Sequence, residues 1–269
     1  MNLPCPICVE RKIMPVQDIK EAELVLVGIG GEMQVKLQSL KNIPNFSEKF
    51  SVLQEEQSRQ WVIPFLIRYY LKQEFHPEIA GAYKKLKEIL EGKNYFIVSL
   101  SSDDLIRNIG FQQERITLPC GGYEMMQCAE NCREKLFPVD EELWNKVCGW
   151  IEDSISLEEL KEPKCPDCGA ALVMNQYGEP AYYEGGYLES WKRYTKWLQG
   201  TVNRKLCILE LGAGMELPSV IRWPFEKMCF YNQKSVFWRV HSSLYQLSEE
   251  ISMRGISVRK DPVAFLNEL

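Results

Sequence analysis

The stretch "CGGYEMMQCAENC", residues 120–132, must be read together with "CPDCG", residues 165–169. Cys128 and Cys132 form a C-x3-C pair, a 32-residue excursion follows, and Cys165 and Cys168 form a C-x2-C pair. Tetrahedral zinc takes four thiolates, and two tight turns can each supply two of them with backbone amides aimed at sulfur. Four protein ligands leave no open position for water, so the spacing predicts a structural zinc site. Four reduced cysteines without a metal would leave the turn residues Pro166, Asp167 and Gly169 without a purpose.

The other cysteines divide by context. "CPIC" at Cys5 and Cys8 has no evident second pair, so it is read as a terminal segment without a metal of its own. Cys148, Cys207 and Cys229 lie among apolar residues and are expected in the core. Nothing near the N-terminus reads as a signal peptide, because charge interrupts its apolar residues. A reducing compartment therefore fits ten cysteines better than a secreted disulfide scaffold, and the protein is expected in the cytoplasm. The formal charge of −5 and the absence of a long basic block argue against nucleic acid or an anionic membrane as partner. No apolar run approaches the roughly 20 residues that cross a bilayer.

Outward from the cysteines, strand-like and helix-like segments alternate, which predicts an α/β fold with a mainly parallel sheet. Strands are expected at "ELVLVGIGG" (23–31), "YFIVSL" (95–100), "KLCILEL" (205–211), "SVFWRV" (235–240) and "GISVRKD" (255–261). Helices are expected in "WVIPFLIRYYLKQE", "HPEIAGAYKKLKEILEG", "LESWKRYTKWLQG" and "PVAFLNEL", with a short one in "DDLIRNIG". Three strands run into "GIGG", "SLSSDD" and "LGAG", and ligands bind at such carboxyl ends, where loops present backbone N–H groups. Each glycine cluster alone is a weak signal, since a glycine after a strand is usually a turn.

The order of these motifs around a four-cysteine module resembles that of the sirtuins over nearly the whole chain. "VLVGIGGE" stands where that family has its first strand and glycine loop, "SLSSDDLIRNIG" resembles its T-x-N-x-D segment, and "LGAG" its later nucleotide loop. The resemblance implies a Rossmann-type domain of residues 1–119 and 186–269, with a helical insertion about 45–92 and a zinc module at 120–185. Within the family, "YEMMQC", the C-x3-C spacing, "ESWKRYTKWL" and "LELGAGMELPSVIRWPFE", with Pro218, Arg222, Pro224 and Phe225, resemble the macrodomain-linked class M proteins, which transfer ADP-ribose to proteins.

The resemblance implies NAD and zinc as cofactors, with Gly28, Gly30, Gly31, Ser99, Asp103, Gly212, Gly214, His241 and Ser242 as NAD contacts. It places Cys120, Ser101 and Asp103 at the catalytic positions and implies a protein acceptor, by class M analogy a lipoylated carrier. Cys120 stands where deacylating sirtuins have a histidine base, and Ser101 stands at the family asparagine. Cys120 is open to three readings: a base or nucleophile, a redox-sensitive position, or an uncharged filler. His241 is either an adenosine contact or an ordinary loop histidine, and Tyr182, Tyr183 and Tyr187 either shape an acceptor channel or pack between domains. Glu32 brings a negative charge toward the expected pyrophosphate unless its side chain turns away. Two functions follow: NAD-dependent ADP-ribosyl transfer or deacylation on a protein, or a degenerate homologue that binds a nucleotide or a protein as a sensor or scaffold.

Overall fold

The computed structural model describes residues 15–73 and 76–269, so Cys5 and Cys8 lie outside the described residues. Helix α1 (Val16–Glu21) leads into β1 (Leu24–Ile29), whose residues are all buried. Four helices follow: α2 (Leu37–Lys41), α3 (Pro44–Glu55), α4 (Ile63–Lys72) and α5 (Pro77–Ile89). Then come β2 (Asn94–Ser99), β3 (Ile116–Thr117), β4 (Gly121–Cys128), β5 (Leu136–Pro138), α6 (Glu141–Ile151) and β6 (Leu172–Gln176). The chain closes with α7 (Gly185–Gln199), β7 (Leu206–Leu211), α8 (Arg222–Tyr231), β8 (Ser235–His241), β9 (Gly255–Arg259) and α9 (Pro262–Asn267).

Six strands form one parallel sheet in the order β3-β2-β1-β7-β8-β9, and β1 pairs with both β2 and β7 over its full length. The strand order reverses between β1 and β7, and a doubly wound sheet binds ligands in the crevice outside the carboxyl ends at such a point. Continuous apolar runs such as "LVLVGI" suit these strands because both faces are covered. One face packs on α5 and α9 through Tyr83, Leu86 and Phe265, the other on α7 and α8 through Tyr194 and Phe225.

Helix α5 packs in the core of the large sheet, where Ala82, Tyr83 and Leu86 are buried with Val25, Ile97 and Leu209. Helices α3 and α4 pack against the small sheet and α6. Phe46, Leu53 and Phe65 share a core with Met126, Val147, Trp150 and Met174. Together the two segments bury one apolar core. Arg68 of α4 joins them further, with its guanidinium 4.2 Å from the Trp144 ring and 2.9 Å from Glu124 of β4.

Candidate functional site

The four cysteines meet as the spacing predicts. Their sulfurs all lie within 4.8 Å of one another, with Cys128 and Cys168 at 3.5 Å and Cys132 and Cys165 at 3.7 Å. A tetrahedral zinc with bonds of about 2.3 Å holds its sulfurs about 3.8 Å apart, so the donor set fits. Backbone N–H groups of Cys132 and Glu130 point at the Cys128 sulfur, and that of Ala170 at the Cys168 sulfur. Such amides favour thiolate over thiol. Gly169 takes the left-handed conformation (φ 78°) that closes the second turn.

The zinc-bearing sheet, ordered β5-β4-β6, meets the large domain at "CGGY". Gly121 has φ 67°, and a Cβ there would fall 1.9 Å from the Asn175 carbonyl oxygen. At Gly122 a Cβ would fall within 2.5 Å of the Asp104 carboxylate oxygens. Asp104, itself left-handed at φ 58°, accepts from the Tyr123 N–H at 2.5 Å and from Arg107 Nε at 2.8 Å. Burial raises its pKa, against the pull of Arg107 and of the Tyr123 amide. Both glycines are thus fixed by close backbone or carboxylate approach at the domain hinge.

Cys120 sits just before this hinge, 7% exposed, and its carbonyl accepts from the Tyr177 N–H at 2.9 Å. Burial pushes its thiol up to about 11, and no cation opposes that shift. At neutral pH the side chain is an uncharged thiol, which favours the filler reading over a base or nucleophile. Tyr182 and Tyr187 lie around it, and the Tyr182 hydroxyl donates to the Pro119 carbonyl at 2.8 Å. Gln127 and Asn175, both buried in the small sheet, hold the backbone of Ala181 and Tyr183 by hydrogen bonds of 2.6 to 2.9 Å. The tyrosine-rich segment is therefore packed and tied between the two sheets.

Of the glycines expected at the nucleotide, the structure divides the set. Gly28 lies inside β1, where a Cβ would strike Ile221 and Phe225 at 2.6 Å, so its bareness admits α8 to the sheet. Gly30 and Gly212 let two loops interlock. A Cβ on Gly30 would lie 2.2 Å from Ala213 Cα, and one on Gly212 (φ 64°) would lie 2.6 Å from Glu32 Cβ. Gly31 faces open space, with nothing within 4 Å of a Cβ, whereas a Cβ on Gly214 would meet the Glu216 carboxylate. Backbone bonds reinforce the interlock, from Gly30 N–H to the Leu211 carbonyl at 2.8 Å and from Glu32 N–H to the Gly212 carbonyl at 3.2 Å.

Glu32 reaches across this crevice to the end of β8. Its carboxylate accepts from the Ser242 N–H at 3.0 Å and lies 3.3 Å from His241 Nδ1. The imidazole is not its ion-pair partner. Nδ1 accepts from the N–H groups of Ser243 and Leu244 at 3.1 and 3.0 Å, which assigns the ring proton to Nε2. Burial lowers the His241 pKa further below its ordinary value, so the ring is neutral and caps the loop after β8. Among the described residues, Glu32 has no Lys or Arg ion-pair partner beside the crevice.

At the end of β2, Ser99 Oγ accepts from the Ser101 N–H at 3.2 Å. Asp103, 3% exposed, accepts from Val35 N–H at 2.9 Å through Oδ2 and from Leu105 N–H at 3.1 Å through Oδ1. It staples the segment after the first glycine loop to the segment after β2. Burial raises its pKa, while those amides and Ser101 pull the other way. The Ser101 hydroxyl, 1% exposed, lies against Asp103 and Tyr83 but makes no well-aligned hydrogen bond. The Ser101 hydroxyl is thus a buried polar group without a partner beside a carboxylate at the carboxyl end of β2.

A buried ion network underlies the same loops and escaped the sequence reading. Arg239, 2% exposed, donates to both oxygens of Glu210 at 2.6 and 2.9 Å and to Glu226 at 2.6 Å. Burial raises the Glu210 carboxyl, and the guanidinium groups of Arg239 and Arg222 hold it ionised. Arg222 donates to the carbonyls of Ala213, at 2.7 Å, and Leu244, at 3.1 Å. The loops after β7 and β8 are therefore pinned from below by a charge cluster. The signal present in the sequence was Glu210 inside an otherwise apolar strand, one residue before "LGAG".

No protein-family model matches the chain. It is 25% identical to a protein ADP-ribosyltransferase of Staphylococcus aureus over 90% of this chain and 82% of that protein. It is 28% identical to a probable bifunctional ADP-ribose hydrolase/ADP-ribosyltransferase of Fusarium oxysporum over 51% of this chain and 24% of that longer protein. Among solved structures it resembles a sirtuin from work on substrate affinity, with a TM-score of 0.52, 16% identity and 94% of each chain covered. A Sir2 protein with a p53 peptide and NAD+ gives a TM-score of 0.52 at 15% identity, covering 96% of this chain and 97% of that one. The chain, with its six-stranded parallel sheet and four-cysteine cluster, is sirtuin-like in fold.

Proposed function

We propose that the protein is an NAD-dependent protein-modifying enzyme that transfers ADP-ribose to a protein acceptor. The observation that carries this reading is the crevice at the strand-order reversal, bounded by the loops after β1, β7 and β8, in a chain similar over nine-tenths of its length to an ADP-ribosyltransferase. NAD supplies an electrophilic ribose carbon with nicotinamide as its leaving group. The residues of this chain bind and orient: Ser101 and Asp103 offer a polar cradle for the carboxamide, and Gly31 leaves room for phosphate. Gly30, Gly212 and Gly214 shape the loops, Ser99 braces Ser101, His241 holds Ser243 and Leu244, and Glu32 holds Ser242.

Cys120 favours transfer over deacylation. Deacylation requires a base at this position to activate a ribose hydroxyl, and a buried neutral thiol does not serve at physiological pH. Transfer to an acceptor that brings its own nucleophile rests on positioning and electrostatics. A lipoylated carrier protein, which presents a nucleophile on a long arm, is the acceptor we propose by analogy with class M proteins.

The test is nicotinamide release and label transfer from NAD to a lipoylated carrier by the zinc-loaded protein. Cys120→Ala should stay within about threefold of wild type, since a filler contributes no base. Asp103→Asn should lose more than about tenfold in kcat/KM, because the carboxylate that both staples the site and faces Ser101 is gone. Absence of NAD binding by calorimetry would sink the enzymatic reading, and binding with turnover only on unlipoylated proteins would sink the acceptor.

Glu32 gives a further expected result. It lies beside the crevice with no Lys or Arg partner among the described residues, so Glu32→Gln, which keeps an acceptor for Ser242, should tighten NAD about tenfold, or about 1.4 kcal/mol. Calorimetry at two ionic strengths checks it, with a smaller gain expected at high salt.

A further inference from the structure

The opposite end of the sheet carries a feature that nucleotide chemistry at the glycine loops does not use. Residues 190–209 contain five Lys or Arg and no Asp or Glu, in a chain whose formal charge is −5. Three of the five, Arg193, Lys196 and Arg204, line a cavity of about 340 Å³ at the amino-terminal ends of β1 and β2. Its apolar wall is Leu24 and Trp197, and its polar base is Asn94. The glycine loops stand at the other ends of these six-residue strands, about 20 Å away at roughly 3.3 Å per residue.

The Trp197 ring is held in place. Its Nε1 donates to Asn94 Oδ1 at 2.8 Å, Arg115 donates to the same oxygen at 3.0 Å, and the ring packs on Phe96 at a centroid distance of 5.9 Å. The cations above it are only partly neutralised. Arg204 pairs with Glu23 at 2.9 Å, and Arg193 reaches the Glu114 carbonyl at 3.4 Å. Lys196 has no ion-pair partner among the described residues. Lys192, one turn away, is paired with Glu189, while Lys234 adds positive potential at Glu23. The Lys205 amide and Arg204 lower the pKa of Glu23, which pairs with the lining residue Arg204.

We propose that this cavity binds a small organic phosphate, with its flat body against Trp197 and Leu24 and its phosphate between Lys196 and Arg193. A volume near the lower end of small-ligand pockets admits a mononucleotide-sized molecule. A fixed indole offers a stacking surface, and clustered cations of low local acidity favour an anionic group. Arg204, held by Glu23, closes the far side of the rim.

The test is calorimetric titration of the full chain with AMP, ribose 5-phosphate and inorganic phosphate as probes. AMP is expected to saturate one site on this face, at least tenfold more tightly than either smaller probe, with affinity falling as salt rises. The exposed double variant Arg193→Ser/Lys196→Ser should weaken AMP at least tenfold while leaving the thermal midpoint unchanged. AMP affinity retained in that variant places the nucleotide elsewhere and overturns the proposal. Inorganic phosphate that matches AMP overturns it as well, since the aromatic wall would then contribute nothing.

Discussion

Cys165→Ser should leave the large sheet standing and unfold the small domain, with loss of bound zinc measured by metal analysis. Cys165 is 3% exposed and its Sγ sits in the four-sulfur cluster, so serine removes a thiolate from a closed site. Structural zinc in small modules contributes apparent binding energies of about 10 to 16 kcal/mol, well beyond what a small core supplies. The effect should spread further than the cysteines. Met126 and Met174 belong to the core that α3, α4 and α6 also build, so hydrogen exchange should rise in α3 and α4 when metal is lost. The strands β1, β2 and β7 should stay protected, because their side chains belong to the two cores of the large domain. A strong chelator should produce the same pattern in the wild type, and zinc should reverse it.

Glu210→Ala is the second large effect, with an expected loss of about 3 to 5 kcal/mol in urea unfolding. Removing this carboxylate leaves the buried Arg239 with Glu226 as its one ion-pair partner among the described residues, and takes from Arg222 the carboxylate 3.6 Å away. The cost is that of an unpaired buried charge, so replacing both partners with apolar residues, as in Glu210→Leu/Arg239→Met, should recover most of it. That double variant also separates stability from function. It should fold, yet bind NAD more weakly, because the Arg239 donation to the Gln246 carbonyl no longer braces the loop after β8. If NAD affinity is unchanged in the double variant, the charge network serves stability alone.

Much of the large sheet was legible because buried parallel strands are written as unbroken apolar runs, and "LVLVGI", "KLCILEL" and "SVFWRV" leave few alternatives. The zinc site was legible because ligand spacing is local. The shared second core was not, since Phe46 and Trp150 lie about a hundred positions apart and nothing in either segment names its partner. The direction of Glu32 depends on where the end of β8 falls relative to the end of β1, which only the assembled sheet defines. Cys120 could be identified but not weighed, because its protonation rests on the tyrosines and backbone that enclose it. The need for glycine at Gly121 and Gly122 was not legible, because its causes, the Asn175 carbonyl and the carboxylate of left-handed Asp104, sit in different segments.

The central seam of the sheet has a consequence for how the molecule is made. Strand β1 is flanked by β2 on one side and by β7 on the other, and Glu23, just before β1, bonds to Lys205 across a separation of 182 residues. During synthesis β1 waits with one apolar edge unpaired until the whole small domain has been added. An unpaired, fully buried-type strand is an aggregation hazard. Fragments ending after the zinc turns should therefore be insoluble even though they contain every metal ligand, and a chain expressed as two pieces should recover solubility only when both are present together.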